Sequence, residues 1–236
     1  MARIYGYTDT EVRLLDKLPK EVESLDDIAR VHKDMKEEYD SIEDKGLRNK
    51  FLRWKKKRKI NKIEDHKDSS LHQGAKGEQS VLDKLNELPD YYHVLCGVDM
   101  DLGRYVTYKR RKSKLRSAQM DFVVVSQRGV VLIEVKNWSD EYAQKHHRFS
   151  PHEQVDRAGL VLWIKLKSSW FSPKNPYVKN VLLATQGNIK YNYKYNHVSV
   201  SDLKSINYLI QGREKVFSDK EVKRVVDRIY KHIVSK

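Results

Sequence analysis

Two acidic residues and a lysine stand in two neighbouring apolar segments of the sequence. Asp121 precedes a Phe-Val-Val-Val run, and Glu134 and Lys136 follow a second run of Val, Leu and Ile after a short turn. Side chains alternate between the two faces of a strand, so Glu134 and Lys136 share a face. If the turn has an even number of residues centred between Gln127 and Arg128, Asp121 lies directly opposite Glu134. The two carboxylates and the amine are therefore predicted to meet at one end of a β-hairpin.

Carboxylates this close to one another favour a bound cation. Without one they repel, and the pKa of one of them rises. Mg²⁺ prefers carboxylate oxygens, a backbone carbonyl and water, and it usually takes only one or two protein carboxylates. A divalent cation such as Mg²⁺, or Mn²⁺ in its place, bound by Asp121 and Glu134 would remove this repulsion. Lys136 is then placed to orient or activate a water that attacks a phosphodiester. The alternative from the residues alone is a salt bridge between Glu134 and Lys136 at the end of a sheet.

The positive charge of the chain is concentrated in two segments. The 236 residues include 47 Lys and Arg against 33 Asp and Glu, a formal net charge of +14. Arg48 to Lys67 carries a net charge of +8 and Arg104 to Arg116 carries +7, so the remainder sums to −1. This distribution points to a polyanionic partner such as nucleic acid, a phosphate ligand or an anionic membrane surface. For either block alone, a solvated face is the alternative.

The basic blocks supply the candidate contacts to a phosphate backbone. Such contacts set affinity and salt dependence rather than sequence preference. The second block comes just before the Asp121 strand, so its loop is expected to project beside the active-site edge. Trp54 in the first block is expected to pack between helices, with base stacking as the alternative. The residues predicted to bind nucleic acid are Lys55, Lys56, Lys57, Arg58, Lys59, Lys109, Arg110, Arg111, Lys112, Lys114 and Arg116.

Several classes of protein are excluded by the sequence. No apolar run approaches the ~18 residues that a membrane helix needs, and the first residues lack the apolar core of a secretory signal. Cys96 is the single cysteine, which excludes an intramolecular disulfide and a thiolate metal cluster. We therefore expect a cytoplasmic protein, with association with the nucleoid as one possibility, that binds a polyanion and has no membrane partner.

The first 70 residues are predicted to form a charged helical arm. Apolar residues recur at helical spacing from Ser24 until the phase breaks near Gly46, and a second, lysine-rich helix follows. A helical hairpin of this kind can also pair with a second chain, so a homodimer is one expectation. We further hypothesise that the acidic segment from Glu21 to Asp44 lies along the lysine-rich helix and competes with DNA for it. An ordinary hairpin with complementary charges is the alternative.

Residues 71–236 alternate between helical and strand patterns, which predicts an α/β core. Tyr191, Tyr193 and Tyr195 alternate with polar residues, which favours an edge strand, or else a stripe that stacks single-stranded bases. The predicted helices are Gly74–Leu88, Glu153–Trp170 and Asp219–Val234, and the predicted strands are His93–Met100, Tyr105–Tyr108, Gln119–Ser126, Gly129–Trp138 and Val178–Thr185.

Three segments of this core resemble a known family. GAKGE at Gly74–Glu78, QMDFVVVSQRGVVLIEVKNW at Gln119–Trp138 and SPHEQ at Ser150–Gln154 occur in the order found in the NERD domain. That domain is the nuclease-related branch of the PD-(D/E)xK superfamily. Met120 stands where the superfamily motif has proline. The resemblance covers residues 71–183 and supplies nothing for the N-terminal arm.

The resemblance implies a fold, an activity and a set of site residues. The fold would be a three-layer, restriction-endonuclease-like α/β core, in which helices flank a mixed sheet. Asp121 and Glu134 would bind the metal together with the Val135 carbonyl, and Glu78 would be an additional acid that contributes to the metal site. Lys136 would be the catalytic lysine. Gln154 would line the site and orient the phosphate or the lysine. The implied activity is Mg²⁺-dependent hydrolysis of DNA by an endonuclease. The alternatives are a non-cleaving NERD-type DNA-binding module and a basic protein that coats DNA.

Overall fold

Six strands of the chain form one mixed sheet. The computed structural model describes residues 1–139, 141, 150–167 and 175–233. In the sheet, each strand lies beside the next one in the sequence. The antiparallel pairs are β2–β3 and β3–β4, and the other neighbours are parallel. The strands are β1 (Arg3–Tyr5), β2 (His93–Tyr108), β3 (Ser113–Ser126), β4 (Gly129–Asn137), β5 (Val178–Gln186) and β6 (Val198–Asp202).

Helices cover both faces of this sheet. Apolar side chains of α5 and α7 share one core cluster with Val123, Leu132 and their neighbours on one face of the strands. The C-terminal part of α4 and the short α6 share a second cluster on the opposite face, where Phe122 and Ile133 lie. The predicted three-layer α/β architecture is therefore confirmed. The helices are α1 (Asp9–Leu15), α2 (Asp27–Ser41), α3 (Leu47–His66), α4 (Ser70–Asn86), α5 (Pro151–Lys167), α6 (Ile206–Gln211) and α7 (Asp219–Tyr230).

The hairpin between β3 and β4 has the predicted register. Ser126 pairs with Gly129 across a two-residue turn, and Phe122 pairs with Ile133 at the other end of the ladder. The whole of β4 from Gly129 to Val135 is buried, which explains its continuous run of apolar residues. Burial on both faces makes any slip of register costly, because a slip by one residue would move every side chain to the opposite face.

The chain divides into two compact units. One comprises residues 9–76, and the other comprises residues 1–8 with residues 77–236, so that the division falls inside α4. The first unit, here called the helical unit, has its own core, which includes Leu14, Val31, Ile63 and Ala75. The second, here called the sheet unit, contains the six-stranded sheet. Within the described residues, no helix is both long and apolar enough to cross a membrane.

Some elements differ from the sequence-based predictions. The two strands predicted between residues 93 and 108 form one long strand with a register shift between Asp101 and Val106. The tyrosine stripe is not an edge strand, since Tyr193–Tyr195 is a single 3₁₀ turn. The Asn192 side chain accepts a hydrogen bond from the Lys194 backbone N–H at 3.0 Å and favours this turn over an extended strand. The sequence analysis did not predict β1, β6, α1 or α6. The ends of two predicted helices, 168–170 and 234, lie outside the described residues.

Candidate active site

The end of β4 brings an acidic and a basic side chain together, those of Glu134 and Lys136. Glu134 continues the strand face on which Leu132 lies, and the Glu134 side chain is buried. Lys136 shares that face, and its Nζ lies 2.7 Å from Glu134 Oε1. Burial lowers the pKa of Lys136, but the attraction of Glu134 and Asp121 outweighs it, so that the net direction is upward. The amine is therefore held in its charged form at neutral pH.

Asp121 joins this pair from β3. The backbone pairing between β3 and β4 ends at Phe122–Ile133. Beyond this pair, the Asp121 carboxylate accepts a hydrogen bond from β4 in place of a backbone carbonyl. Asp121 Oδ2 accepts a hydrogen bond from the Val135 backbone N–H at 2.7 Å. Burial, followed by the negative charges of Glu134 and Glu78, raises the pKa of Asp121 well above its ordinary value. Three acidic side chains therefore lie within electrostatic reach of one another.

The remaining contact to Glu134 comes from α5. The Gln154 side-chain amide donates a hydrogen bond to Glu134 Oε1, the same oxygen that Lys136 contacts. Glu134 Oε2 is also buried, and it has no hydrogen-bond partner among the described residues. A buried carboxylate oxygen without a donor is costly, because it has lost its water and gained nothing in exchange. One oxygen of Glu134 is therefore fully engaged, while the other is placed to take a cation.

Glu78 reaches the site because α4 approaches β4 closely. An added Cβ at Gly77 would stand 2.8 Å from Asn137 Cβ and 3.3 Å from Thr185 Oγ1, so only glycine fits at this crossing. Glu78 is the next residue, and it is buried. Its charge contributes to the raised pKa values of both Asp121 and Lys136. The Gly-x-x-Gly-Glu segment thus has two roles: Gly77 allows α4 to pack closely on β4, and Glu78 supplies an acid to the site.

The donor set fits a divalent cation that keeps part of its water shell. Among the described residues, no group of three or more His, Cys, Asp or Glu is arranged to hold a metal ion by itself. Asp121 and Glu134 are two carboxylates with a raised pKa on one and an unpartnered oxygen on the other. Two carboxylates suffice for Mg²⁺, which usually retains several waters or takes phosphate oxygens from a substrate.

A cavity adjoins this cluster between β3 and α5. Its volume is about 380 Å³, and Gln154 is part of its wall. Both polar and apolar groups line it, and it is open to solvent on one side. The other lining residues are Leu115, Ser117, Ala118, Gln119, Glu153, Arg157 and Ala158. Gln119 therefore lies along this cavity, beyond the end of the β3–β4 ladder.

The second basic block is anchored on α5. Only Lys109 to Lys112 form the turn between β2 and β3, and the later members of the block lie on β3 itself. Arg110 Nε lies 3.1 Å from Asp156 Oδ2, and Arg111 Nε lies 2.6 Å from Glu153 Oε2. Both carboxylates are buried. These two arginines therefore hold the turn against the first turns of α5.

The other basic residues of this block differ in their partners. Arg116 pairs with Asp101 at 3.0 Å, and Lys114 lies over the Tyr105 ring at 5.8 Å. Lys109 and Lys112 are exposed and make no ion pair among the described residues. The turn therefore combines anchored arginines with lysines that face solvent.

The sequence analysis missed the acids that anchor this turn. Glu153 and Asp156 are three residues apart, so they lie on one face of α5 and flank Gln154. Tyr195 donates to Glu153 at 3.2 Å, and Tyr108 donates to Asp156 at 2.5 Å. Two acids at this spacing at the start of an otherwise apolar helix are the sequence feature from which this anchor could have been predicted.

The first basic block lies in the helical unit, on α3. Lys56 pairs with Glu38 of α2, and Lys59 pairs with Glu21. Lys36 of α2 pairs in turn with Glu64 of α3 at 2.8 Å. The predicted alignment of the acidic segment with the lysine-rich helix is therefore confirmed. Lys55, Lys57 and Arg58 are exposed.

Fold and site together define a class of protein. A mixed six-stranded sheet between helical layers, with carboxylates and a lysine at the end of a central strand pair, is a three-layer α/β core of the nuclease-like kind. Residues 73–185 match the family model of the nuclease-related domain, NERD. This part of the chain is therefore a nuclease-related domain. The comparisons with curated proteins and with solved structures gave no match.

Proposed function

We propose that this protein is a metal-dependent endonuclease that hydrolyses DNA phosphodiester bonds. The observation that supports this most strongly is the shared end of β3 and β4. There the Lys136 amine and the Gln154 amide both contact Glu134 Oε1, while Glu134 Oε2 is buried without a partner among the described residues, beside the Asp121 carboxylate. A plain sheet-end salt bridge explains only the contact between Glu134 and Lys136. It leaves the buried Glu134 Oε2 without a hydrogen-bond donor. It also leaves the raised pKa of Asp121 without a bound cation that would offset the neighbouring negative charges.

Each side chain has a distinct task in the proposed reaction. Asp121 and Glu134 hold Mg²⁺ or Mn²⁺, with the Val135 carbonyl as a further oxygen and Glu78 behind Asp121. The bound ion supplies Lewis-acid stabilisation of the charge that develops on the phosphate. Lys136 donates a hydrogen bond to Glu134, and its positive charge orients the attacking water and favours the loss of its proton. Gln154 fixes the Glu134 carboxylate so that Oε2 points away from these donors.

The basic turn between β2 and β3 supplies the contact to the DNA backbone in this proposal. Arg110 and Arg111 are already paired with acids, so their role is to hold the turn in place. Lys109, Lys112 and Lys114 are the side chains that bind phosphates. Such contacts are not specific for sequence, and their number sets the dependence of affinity on salt.

The second candidate function is DNA binding without cleavage. It is favoured by the finding that the described residues include no ready set of three metal-binding side chains. In that case the acids and the lysine would form a buried polar network that stabilises the sheet end.

Plasmid cleavage separates the two candidates. Supercoiled DNA is incubated with the wild type, Glu134→Gln and the control Glu214→Gln, each with Mg²⁺, Mn²⁺ or EDTA. Glu214 is exposed and outside the site, so this control changes the same charge elsewhere. We expect metal-dependent nicked or linear products from the wild type and the control only. The absence of products from a folded wild-type protein would contradict the nuclease proposal.

Metal binding is measured separately from cleavage. A ligand that binds only the folded state raises the thermal midpoint, Tm, by mass action. We expect Mg²⁺ and Mn²⁺ to raise the Tm of the wild type and of Glu214→Gln, but not that of Glu134→Gln. An equal rise in all three proteins would contradict the assignment of Glu134 as a ligand.

A further inference from the structure

A groove runs along the helical unit between α3 and the segment that follows α1. Its volume is about 620 Å³. The residues that α3 contributes lie at positions i, i+3, i+4, i+7, i+8 and i+11, so a single face of the helix lines the groove. They are Phe51, Trp54, Lys55, Arg58, Lys59 and Lys62, and the facing wall is formed by Asp16, Leu18, Pro19, Lys20 and Glu21.

The aromatic residues of this face are exposed, whereas the core of the unit uses another face of α3. Ile60 and Ile63 are buried in that core, but Phe51 is 60% exposed and Trp54 is 58% exposed. The expectation that Trp54 packs between helices is therefore wrong. Helical spacing alone does not show which face of α3 the other helices cover.

Planar side chains form a ladder along the groove. The rings of Phe51 and Trp54 stack with their centroids 5.9 Å apart and their planes at 28°. The Arg58 guanidinium lies over the Trp54 ring at 5.9 Å. These three planar groups follow one another along one face of α3. They form an exposed surface on which other planar groups can stack.

The groove is also positively charged. Five of its lining side chains are basic and two are acidic. Lys59 is paired with Glu21, whereas Lys55 and Lys62 make no ion pair among the described residues. A polyanion therefore finds cations beside the aromatic ladder.

We propose that this groove binds single-stranded nucleic acid. Unpaired bases stack on Phe51 and Trp54, while Lys55, Arg58 and Lys62 hold the phosphates. An aromatic platform beside a basic track is the combination that binds single strands without sequence preference. From Phe51 to Lys62 the helix rises about 16 Å at ~1.5 Å per residue. This length accommodates about five nucleotides at the ~3.4 Å spacing of a stacked strand.

Charge and shape oppose the other occupants of such a groove. A second copy of the chain would bring one positively charged groove against another. A bilayer is flat, and a helix that lies in it needs a continuous apolar face, whereas lysines and arginine interrupt this one. Duplex DNA would meet the lysines but would keep its base faces hidden from the aromatic rings.

Binding by the full chain in EDTA tests the proposal without any need for hydrolysis. The probes are a fluorescent 20-nucleotide oligothymidylate and a 20-base-pair duplex, followed by anisotropy. We expect Phe51→Ala/Trp54→Ala to bind oligothymidylate at least tenfold more weakly than the wild type, since both aromatic rings on which its bases stack are removed. Its affinity for the duplex should change less than twofold. The control is Tyr208→Ala, which removes an aromatic ring that is 82% exposed on α6 of the sheet unit.

Conservative and charge variants complete the test. Phe51→Tyr/Trp54→Tyr keeps the flat faces and should bind oligothymidylate within threefold of the wild type. Lys55→Gln/Lys62→Gln should reduce the slope of log affinity against log salt by about 1.4, because each neutralised phosphate contributes ~0.7 to that slope for a single strand. The proposal is overturned if the double alanine variant binds oligothymidylate as the wild type does. It is equally overturned if that variant loses binding to anionic vesicles or self-association instead.

Discussion

Glu134 is a carboxylate with two unlike oxygens. Oε1 receives both the Lys136 ammonium and the Gln154 amide, whereas Oε2 is buried with no hydrogen-bond donor among the described residues. A carboxylate that served only as a salt-bridge partner would gain more by sharing these donors between its oxygens. The asymmetry is expected for a side chain that offers its second oxygen to an ion.

Replacing Lys136 by methionine separates metal binding from cleavage. The substitution removes the charge and retains much of the apolar stem. Cleavage should fall at least 100-fold, within the ~10²–10⁴ range for loss of a group that assists proton transfer. The affinity for Mg²⁺ should not decrease, because a cation that competes for Glu134 is gone. Single-turnover plasmid cleavage and calorimetric titration with Mg²⁺ measure the two effects. Cleavage within threefold of the wild type would contradict a catalytic role for Lys136.

Gln154→Glu tests the electrostatics of the same cluster. The substitution exchanges an amide donor for a third carboxylate against Glu134, at nearly constant shape. In EDTA the free energy of unfolding should fall by about 1–3 kcal/mol, the cost of removing a donor from a buried charge. Mg²⁺ should restore most of this loss. Thermal unfolding in EDTA and in Mg²⁺ measures both, and an identical Tm for variant and wild type in EDTA would refute the contact.

At the scale of elements, the site depends on how closely α4 and α5 pack on the sheet. Gly77 lets α4 cross the end of β4, and Gly159 lets α5 pack against Asn180 of β5. α4 carries Glu78 and α5 carries Gln154, so each close crossing delivers one residue of the site. The position of each glycine relative to the site residue on the same helix is therefore needed to place Glu78 and Gln154 in the site.

Gly77→Ala should displace α4 from β4. A Cβ at 2.8 Å from Asn137 Cβ forces the backbone to move, and overpacking of this kind costs about 1–3 kcal/mol. Cleavage should fall as Glu78 shifts. Gly74→Ala in the same helix is the control, because its Cβ meets only a Thr10 methyl at 3.2 Å. That substitution should leave stability unchanged or raise it by up to ~1 kcal/mol through helix propensity. Equal effects of the two variants in chemical denaturation would contradict the crossing argument.

The turn between β2 and β3 allows a comparison of two adjacent basic residues. Arg111 pairs with the fully buried Glu153, and Lys112 is exposed. Arg111→Ala should lower the free energy of unfolding by about 2 kcal/mol. This is less than the ~3–5 kcal/mol for breaking a fully buried pair, because Arg111 itself is half-exposed. Lys112→Ala should change it by less than about 0.5 kcal/mol but should weaken binding to DNA. Urea denaturation and anisotropy distinguish the roles, and similar stabilities would contradict the anchor.

At the scale of the whole molecule, the local parts of the fold could be predicted from the sequence and the long-range contacts could not. The β3–β4 hairpin was predictable because alternation and a two-residue turn determine its register. Glu78 and Gln154 could be proposed only through resemblance, because no periodicity relates a helix before the sheet to one after it. The pairing of Arg110 and Arg111 with α5 forms only when the β2–β3 hairpin packs against that helix. The spacing of residues in the sequence does not predict this contact.

The charge balance of the helical unit should limit its affinity for DNA. Lys59 donates to Glu21 and lowers the pKa of that carboxyl, and Lys56 pairs with Glu38. Glu21→Gln/Glu38→Gln should release both lysines, strengthen DNA binding at least twofold at low salt and steepen its salt dependence. Anisotropy across a salt series measures this, with Glu23→Gln/Glu37→Gln as the control. Unchanged affinity would discard the hypothesis that the acidic segment competes with DNA. Deletion of residues 1–46 is a poorer test, because it also removes β1 from the sheet.

The pairing of β1 with β2 has a consequence for synthesis on the ribosome. Arg3, Ile4 and Tyr5 find their partners only at His93, Val94 and Leu95, about ninety residues later. At ~5–20 residues per second, the nascent β1 segment waits about 5–18 seconds for its partner strand. Every residue of the helical unit is synthesised during that interval. The helical unit is therefore complete before β1 can pair with β2, and β1 joins the edge of the sheet in a late step.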